Sequence, residues 1–328
     1  MAYGHQETSM IRIFLAALTL AAAALQPALA QDWPSRPVTF LQPYGPGTNL
    51  DAITRYLAGV LGPQWKQPIV VENKAGANGV IGTEQVARSS GDGYTWLFTG
   101  PGHFTNEVLM GKVPFEQKDF KPVARLASVM LVLVVPADSP FKSVMDIVEA
   151  AKKNPGKVSY ASAGSGSAQH LSAAAFQSAS GAQFLHVPYK TQAAALTDTL
   201  SGQVSFTFSA LATAKAQLAS GRIRAIAVTG PRRSESLPEL PTVAESGVPG
   251  FSFFSFNAVF VPVATPDDVI RKFSDALGAA IRTTQFAELA KAQGFESDYA
   301  DVQAWSAAVP SERKKWQDLI RVSGAKNE

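Results

Sequence analysis

The chain has 328 residues, a formal net charge of +3, 46% hydrophobic and 17% charged residues, and no cysteine. That length exceeds what one hydrophobic core usually fills and points to two domains, while the composition is that of a core-forming globular protein and excludes extensive disorder away from the ends. Disulfides and thiolate metal sites are excluded outright, and basic residues that are spread out except for short runs such as Arg232-Arg233 and Arg313-Lys314-Lys315 argue against a nucleic-acid partner.

The first segment reads as a targeting signal. Arg12 precedes a largely apolar run, Ile13 to Leu25, and Ala28-Leu29-Ala30 supplies the small-x-small pattern of a signal-peptidase site. Residues 1–30 are therefore expected to be a signal peptide cleaved after Ala30, and the protein to work in a bacterial periplasm. The run is shorter than the roughly 20 residues of a membrane-spanning helix, and no later segment supplies one.

From Val38 to Thr99 strand-like and helical runs alternate: Val38 to Leu41, a helix from Asp51, Ile69-Val70-Val71, a helix near Ile81 to Ala87, and Tyr94 to Thr99. Such alternation predicts a mostly parallel sheet covered by helices, with binding loops at the carboxyl ends of the strands. Pro122 to Val135 is apolar apart from Arg125 and Ser128 and reads as one buried strand crossing out of the first domain. A second set of strand–loop–helix units follows: a helix capped by Ser143, a strand at Val158 to Ala161, a helix at His170 to Ser178, and a strand at Phe184 to Val187. It continues with a helix at Ala193 to Leu200, a strand at Val204 to Phe208, a helix at Ala212 to Leu218 and a strand at Ile223 to Val228. Phe251 to Val263 is strand-like, and past Pro266 the pattern is helical to the end. The expected organisation is a discontinuous first domain of residues 31–134 and 252–328 and a second of residues 135–251, so that two chain crossings form a hinge over a cleft.

Three loops of one type stand out: Tyr44 to Asn49, Gly164 to Ser167 and Pro188 to Gln192. Each follows a predicted strand, precedes a predicted helix and is rich in Gly, Ser, Thr or Pro. Converging on one cleft, they would surround an anion with backbone N–H groups and hydroxyls at the positive ends of helix dipoles. No catalytic or metal-binding arrangement accompanies them. His103, His170 and His186 lack carboxylate or histidine partners at metal-ligand spacing, Gly164-Ser165-Gly166-Ser167 does not have nucleophile-elbow spacing, and the Gly-x-Gly pairs lack the rest of a nucleotide fingerprint. No cofactor is expected and the chain is read as a binding protein, with an exported serine hydrolase using Ser165 or Ser167 with His170 as the competing reading.

The residues also carry a resemblance. Trp33-Pro34-Ser35-Arg36-Pro37, Gly45-Pro46-Gly47 with Asp51 and Arg55, Val70-Val71-Glu72-Asn73-Lys74 with Gly76 and Gly79, Asp92-Gly93-Tyr94, Asn154-Pro155-Gly156-Lys157, His186-Val187-Pro188-Tyr189-Lys190 and Leu240-Pro241-Thr242-Val243-Ala244-Glu245 occur in the order seen in one family. The chain resembles the substrate-binding receptors of tripartite tricarboxylate transporters, the Bug receptors. The resemblance implies an α/β, two-domain periplasmic binding protein of the Venus-flytrap type. Such a protein is a monomer that closes over a carboxylated small molecule and delivers it to the membrane permease subunits.

Departures from the family pattern concern specificity. The first loop adds Thr48 and Asn49, Thr191 replaces a usual glycine, Ser209 stands where many members carry an aspartate, and Asn257 stands where relatives are usually apolar. Serine in place of aspartate removes a charge that would pair with a ligand ammonium and favours a carboxylate. Phe104, Phe208, Phe254 and Phe256 lie in or beside segments expected near the cleft. The expected ligand is an aromatic dicarboxylate such as terephthalate, with an aliphatic di- or tricarboxylate as the alternative. The expected ligand-binding residues are Tyr44, Gly47, Thr48, Asn49, Phe104, Ser165, Gly166, Ser167, Thr191, Gln192, Ser209 and Asn257.

Overall fold

The computed structural model describes residues 33–325. The expected signal peptide, residues 1–30, lies outside the described residues. Contacts divide the chain after Arg36; of the short N-terminal unit only Trp33 to Arg36 is described, as bends with a cis Trp33–Pro34 peptide bond. The sheets and helices belong to the unit that starts at Pro37.

Two sheets organise it. The first contains β1 (Val38–Gln42), β2 (Ile69–Asn73), β3 (Thr95–Thr99), β4 (Phe120–Val129), β10 (Ser255–Pro262) and β11 (Glu296–Ala300) in the order β11-β4-β10-β3-β1-β2. The second contains β5 (Leu131–Pro136), β6 (Ser159–Ser162), β7 (Leu185–Pro188), β8 (Phe206–Ala210) and β9 (Ile223–Val228) in the order β7-β6-β8-β5-β9. In each sheet three strands run parallel, β2-β1-β3 and β7-β6-β8, and the next strand is antiparallel. The turns after β1 and β6, each the middle strand of its parallel trio, thus occupy equivalent places.

The helices are α1 (Asn49–Trp65), α2 (Val80–Ala87), α3 (Gly102–Met110), α4 (Val144–Lys153), α5 (Ala168–Ser180), α6 (Gln192–Leu200), α7 (Leu211–Ala219), α8 (Asp267–Ile281), α9 (Thr284–Gln293) and α10 (Val302–Ser323). Their starts follow from local chemistry. Thr48, Ser143, Ser167, Thr191, Thr283 and Asp301 each accept an N–H of the first turn that has no partner inside its helix. Amphipathic spacing sends Ile53, Leu57 and Leu61 of α1, and Ile270, Phe273, Leu277 and Ile281 of α8, into the core beside the first sheet. There Phe273 meets Phe40 and Trp96, with ring centroids 5.5 and 4.0 Å apart.

Two expectations need correction. The apolar stretch from Pro122 to Val135 is not one strand: β4 ends at Val129, β5 begins at Leu131, and only Met130 separates a strand of the first sheet from one of the second. Both strands are deeply buried, so the hydrophobic pattern carries no mark of the break. The C-terminal tail is not helical throughout either, because Glu296–Ala300 forms β11 at the edge of the first sheet. Its polar sequence is held there by Arg125, which donates to Asp298 Oδ1 at 2.8 Å, and by the hydroxyl of Ser128, which bonds Asp298 Oδ2. The second crossing between the sheets is the segment 229–254. α10 packs against β4 and α3 on the side of the first sheet and against α5 on the side of the second.

Candidate binding site

A cavity of about 480 Å³ lies between the carboxyl-end turns of the two sheets. From the first half it is lined by Tyr44, Gly47, Thr48, Asn49 and Leu50, by Asn78, and by Gly100, Pro101, Gly102 and Thr105 at the start of α3. From the second half come Gly166, Ser167, Ala168 and Gln169 at the start of α5, Leu171, Gln192 at the start of α6, and Ala210 and Thr213. Its base is formed by Val129 and Leu131 on either side of the crossing, by Ser255, Phe256 and Asn257 of β10, and by Gln293 and Trp316. None of these lining residues carries a charge, and among the described residues no cluster suited to a metal ion occurs.

What replaces charge is a set of helix starts. In α1 the Thr48 carbonyl accepts from Ala52 N–H, and Thr48 Oγ1 accepts from Asp51 N–H at 3.2 Å, so the first-turn amides left toward the cavity are those of Asn49 and Leu50. In α5 the corresponding bonds run from Leu171 N–H to the Ser167 carbonyl and from His170 N–H to Ser167 Oγ, leaving the amides of Ala168 and Gln169. These two pairs come from opposite sheets and line one cavity. Together with the positive ends of the helix dipoles they give the cavity a chemistry suited to an anion, with hydrogen-bond donors in place of counter-ions.

The first loop owes its shape to Asp51, which is 6% exposed. Its carboxylate accepts from Gly47 N–H at 3.0 Å, from Gln42 Nε2 at 2.6 Å, from Asn73 Nδ2 at 3.2 Å and from Arg55 Nε at 3.0 Å. Burial alone would raise its pKa, but the bonds from Arg55, Gly47 and Asn73 outweigh burial and hold it below the usual aspartate value. Asp51 thus fastens the turn from beneath, and the side-chain cap of α1 is Thr48 rather than Asp51. The phenol of Tyr44 lies against Gly102, where a Cβ would stand 2.6 Å from the Tyr44 hydroxyl oxygen, and burial pushes the phenol pKa up. Asn78, in the left-handed region at φ 50°, is pinned by its amide donating to Asn106 Oδ1 at 2.7 Å.

Of the twelve residues expected at the site, the structure brings eight together on the cavity wall: Tyr44, Gly47, Thr48, Asn49, Gly166, Ser167, Gln192 and Asn257. The other four stand behind it. Ser209 accepts from Gln192 Nε2 at 3.3 Å and so orients a residue that does line the cavity, while Thr191 caps α6 by accepting from Ala194 N–H. Ser165 belongs to the turn without facing the cavity. Phe104 is fully buried, with its ring 5.5 Å from that of Phe256. Among the four phenylalanines expected near the cleft, Phe256 reaches the wall, Phe208 is core, and Phe254 lies beneath Lys315 Nζ at 4.2 Å beside a separate hollow of about 220 Å³. Sequence reasoning did not single out Asn78, Gly100 to Gly102, Thr105, Gln169, Gln293 or Trp316. In the sequence Gly100 and Gly102 form one of the Gly-x-Gly pairs that lack the rest of a nucleotide fingerprint.

The competing hydrolase reading has no geometric footing. The imidazole of His170 accepts from Gly166 N–H through Nδ1 at 3.0 Å, so this nitrogen is not offered to a serine hydroxyl. Ser167 Oγ meets the backbone amide of His170, not its ring.

Two α/β sheets whose equivalent turns face one uncharged, donor-lined cavity define a solute-binding protein of the periplasmic-binding-protein fold. Residues 53–325 match the model of the tripartite tricarboxylate transporter family receptor, and the chain belongs to this family of substrate-binding receptors, which is not an enzyme family. It is 34% identical over 306 residues, 93% of this chain and 91% of the relative, to the UPF0065 protein in the tcbD-tcbE intergenic region of Pseudomonas sp. (strain P51). It is 32% identical to Protein BugT of Bordetella pertussis over 97% of both chains. Among solved structures, R. palustris Rpa4515 with adipate is similar at a TM-score of 0.78 and 31% identity, covering 90% of this chain and 99% of that one. The periplasmic binding protein BugD is similar at 0.72 and 33%, covering 90% and 100%.

Proposed function

We propose that this protein is a periplasmic solute receptor that captures a small dicarboxylate between two lobes, residues 31–134 with 252–328 and residues 135–251, and delivers it as a monomer to the permease subunits of a tripartite tricarboxylate-type transporter. The observation that carries this reading is the uncharged cavity with first-turn amides of α1 on one wall and of α5 on the other. One carboxylate meets Asn49 and Leu50, the second meets Ala168 and Gln169, and the two dipoles replace the water each group gives up. An ammonium group finds no carboxylate partner on the wall, which favours acids over amino acids. Residues 1–30 carry the export signal.

Between the two ends the wall includes Phe256 and Trp316 with Leu171, Val129 and Leu131, an apolar stretch suited to an aromatic ring. The ligand is accordingly read as an aromatic dicarboxylate such as terephthalate. An aliphatic dicarboxylate is the second reading, and the similarity to a protein solved with adipate favours it. Titration calorimetry with terephthalate, benzoate, adipate, succinate and citrate separates the two. Binding of adipate or succinate without terephthalate would overturn the aromatic assignment, and binding of none of the five would overturn the carboxylate reading. Small-angle scattering should show compaction at saturation.

A further inference from the structure

The turn before α5 is bent through two glycines in the left-handed region, Gly164 at φ 102° and Gly166 at φ 76°. Their amides are not offered to the cavity. Gly166 N–H donates to His170 Nδ1 at 3.0 Å, and Gly164 N–H donates to Ser162 Oγ at 3.2 Å, which lies 2.6 Å from His186 Nε2. The imidazoles of His170 and His186 are stacked nearly parallel, with centroids 4.1 Å apart. The turn is thus fastened from behind to a stacked pair of rings, one buried (His170) and one half-buried (His186).

The remaining nitrogen of His170 defines its tautomer. Nδ1 accepts, so the proton sits on Nε2, and the ring lies near the backbone of Ser323 in the last turn of α10. α10 is also the helix that carries Trp316 to the cavity wall and packs against α3 and β4. The turn itself rests on that side: a Cβ on Gly166 would stand 3.1 Å from Leu109 Cδ2 of α3 and 3.9 Å from Ile320 Cδ1 of α10.

We infer that His170 is a positioning residue for ligand recognition: a neutral imidazole, stacked on His186, that accepts from Gly166 and so fixes the Gly164–Ser167 turn with the Ala168 and Gln169 amides facing the cavity. The inference rests on the carboxylate reading of the cavity. Removing the ring nitrogens leaves the Gly166 amide unpaired and frees the turn, which at about 1.4–2.8 kcal/mol for a lost buried partner weakens ligand binding by about ten- to a hundredfold.

The test uses the full mature chain with His170→Phe, which keeps a stacking ring without nitrogens, and His170→Asn, whose Oδ1 falls where Nδ1 accepts. Affinity for terephthalate and adipate is read by calorimetry, and exchange of the Gly166 amide proton by NMR in the ligand-free protein. In His170→Phe both affinity and amide protection should fall about ten- to a hundredfold, and His170→Asn should restore most of each. Parent-like affinity or Gly166 protection in His170→Phe would overturn the role. If that variant does not fold, His170→Gln replaces it. The Gln terminal amide reaches the Nε2 position but not Gly166, so equal protection in the Gln and Asn variants overturns the role as well. If the parent binds neither acid, the ligand assignment has failed, and exchange in the ligand-free protein still decides for or against His170.

Discussion

His103 sits on α3 with both ring nitrogens buried and, among the described residues, without hydrogen-bond partners. The rings of Phe104, Phe115, Phe120 and Phe260 surround it at centroid distances of 4.4 to 6.3 Å. Burial, and secondarily the charge of Arg313, pushes its pKa from 6.5 down to about 3. Because the folded value lies below the unfolded one, the unfolded chain takes up the proton first. The contribution to stability is intact above pH 6.5 and drains away as the pH falls toward 3. Linkage gives a loss of ~2 kcal/mol on going from about pH 8 to about pH 5, and ~3 kcal/mol by about pH 4. His170 loses stability in the same direction, its pKa lowered to about 4 by burial and by the neighbouring His186, so the parent's acid response contains both histidines.

The substitution His103→Leu separates them. It removes the titrating group, keeps an apolar side chain among the phenylalanines, and leaves the bond from Gln117 Nε2 to the His103 backbone carbonyl, 2.6 Å, untouched. Urea unfolding at a series of pH values should show the variant more stable than the parent by ~1 kcal/mol near neutrality, where only the unpaired nitrogens matter. The gap should widen by a further ~2 kcal/mol near pH 5. A variant that loses as much stability on acidification as the parent, or a His103 ring resonance that titrates near 6.5, would refute the reasoning.

Three further outcomes follow from the site. Gly102→Ala drives a Cβ to 2.6 Å from the Tyr44 hydroxyl oxygen and should cost about 1–3 kcal/mol of stability by thermal denaturation and weaken ligand binding by displacing Tyr44. Asp51→Ala strips the Gly47, Gln42 and Asn73 donors of their acceptor and should cost about 1–3 kcal/mol, while Asp51→Asn should recover part of the loss; equal stability of Ala variant and parent would contradict the tethering role. Since no charged side chain lines the cavity, the dissociation constant for a bound dicarboxylate should change less than about threefold across a salt range that spans the Debye lengths of roughly 10 to 3 Å, which calorimetry at low and high salt checks directly.

The parts of the site that were legible in the sequence are those in which one short stretch contains both cause and effect. The turn Tyr44 to Asn49 announces itself by an apolar strand before it, a Gly-Pro-Gly bend and helical spacing after it, and the turn Gly164 to Ser167 does the same. Positions that depend on distant partners left no local trace. Trp316 reaches the cavity only because α10 packs back across β4, and Gln293 only because α9 ends beside it. Thr191 and Ser209 have the right chemistry but spend it on a cap and on Gln192, a choice that the strand register settles and residue type does not. β11 was hidden because Glu296-Ser297-Asp298 is polar, its place being fixed by Arg125 and Ser128 from β4 rather than by apolar alternation. α3 opens at Gly100-Pro101-Gly102, residues that ordinarily signal a turn.

Met130 constrains any motion of the two sheets. With one residue between β4 and β5, both interior strands of their sheets, the sheets cannot part there by more than a single link of chain, so a closure of the kind proposed above would turn about an axis close to Val129 and Leu131. Those two residues line the cavity. A ligand atom resting on them keeps the same neighbours at every angle, and such contacts add to affinity equally in all states. Atoms that reach outward to Thr48 or Gln192 sit at the ends of long lever arms and gain partners only as the angle narrows. Under the proposed closure, selectivity between ligands that leave the protein open and ligands that shut it lies in the outer contacts, whereas changes near the crossing shift binding strength without altering the balance of states.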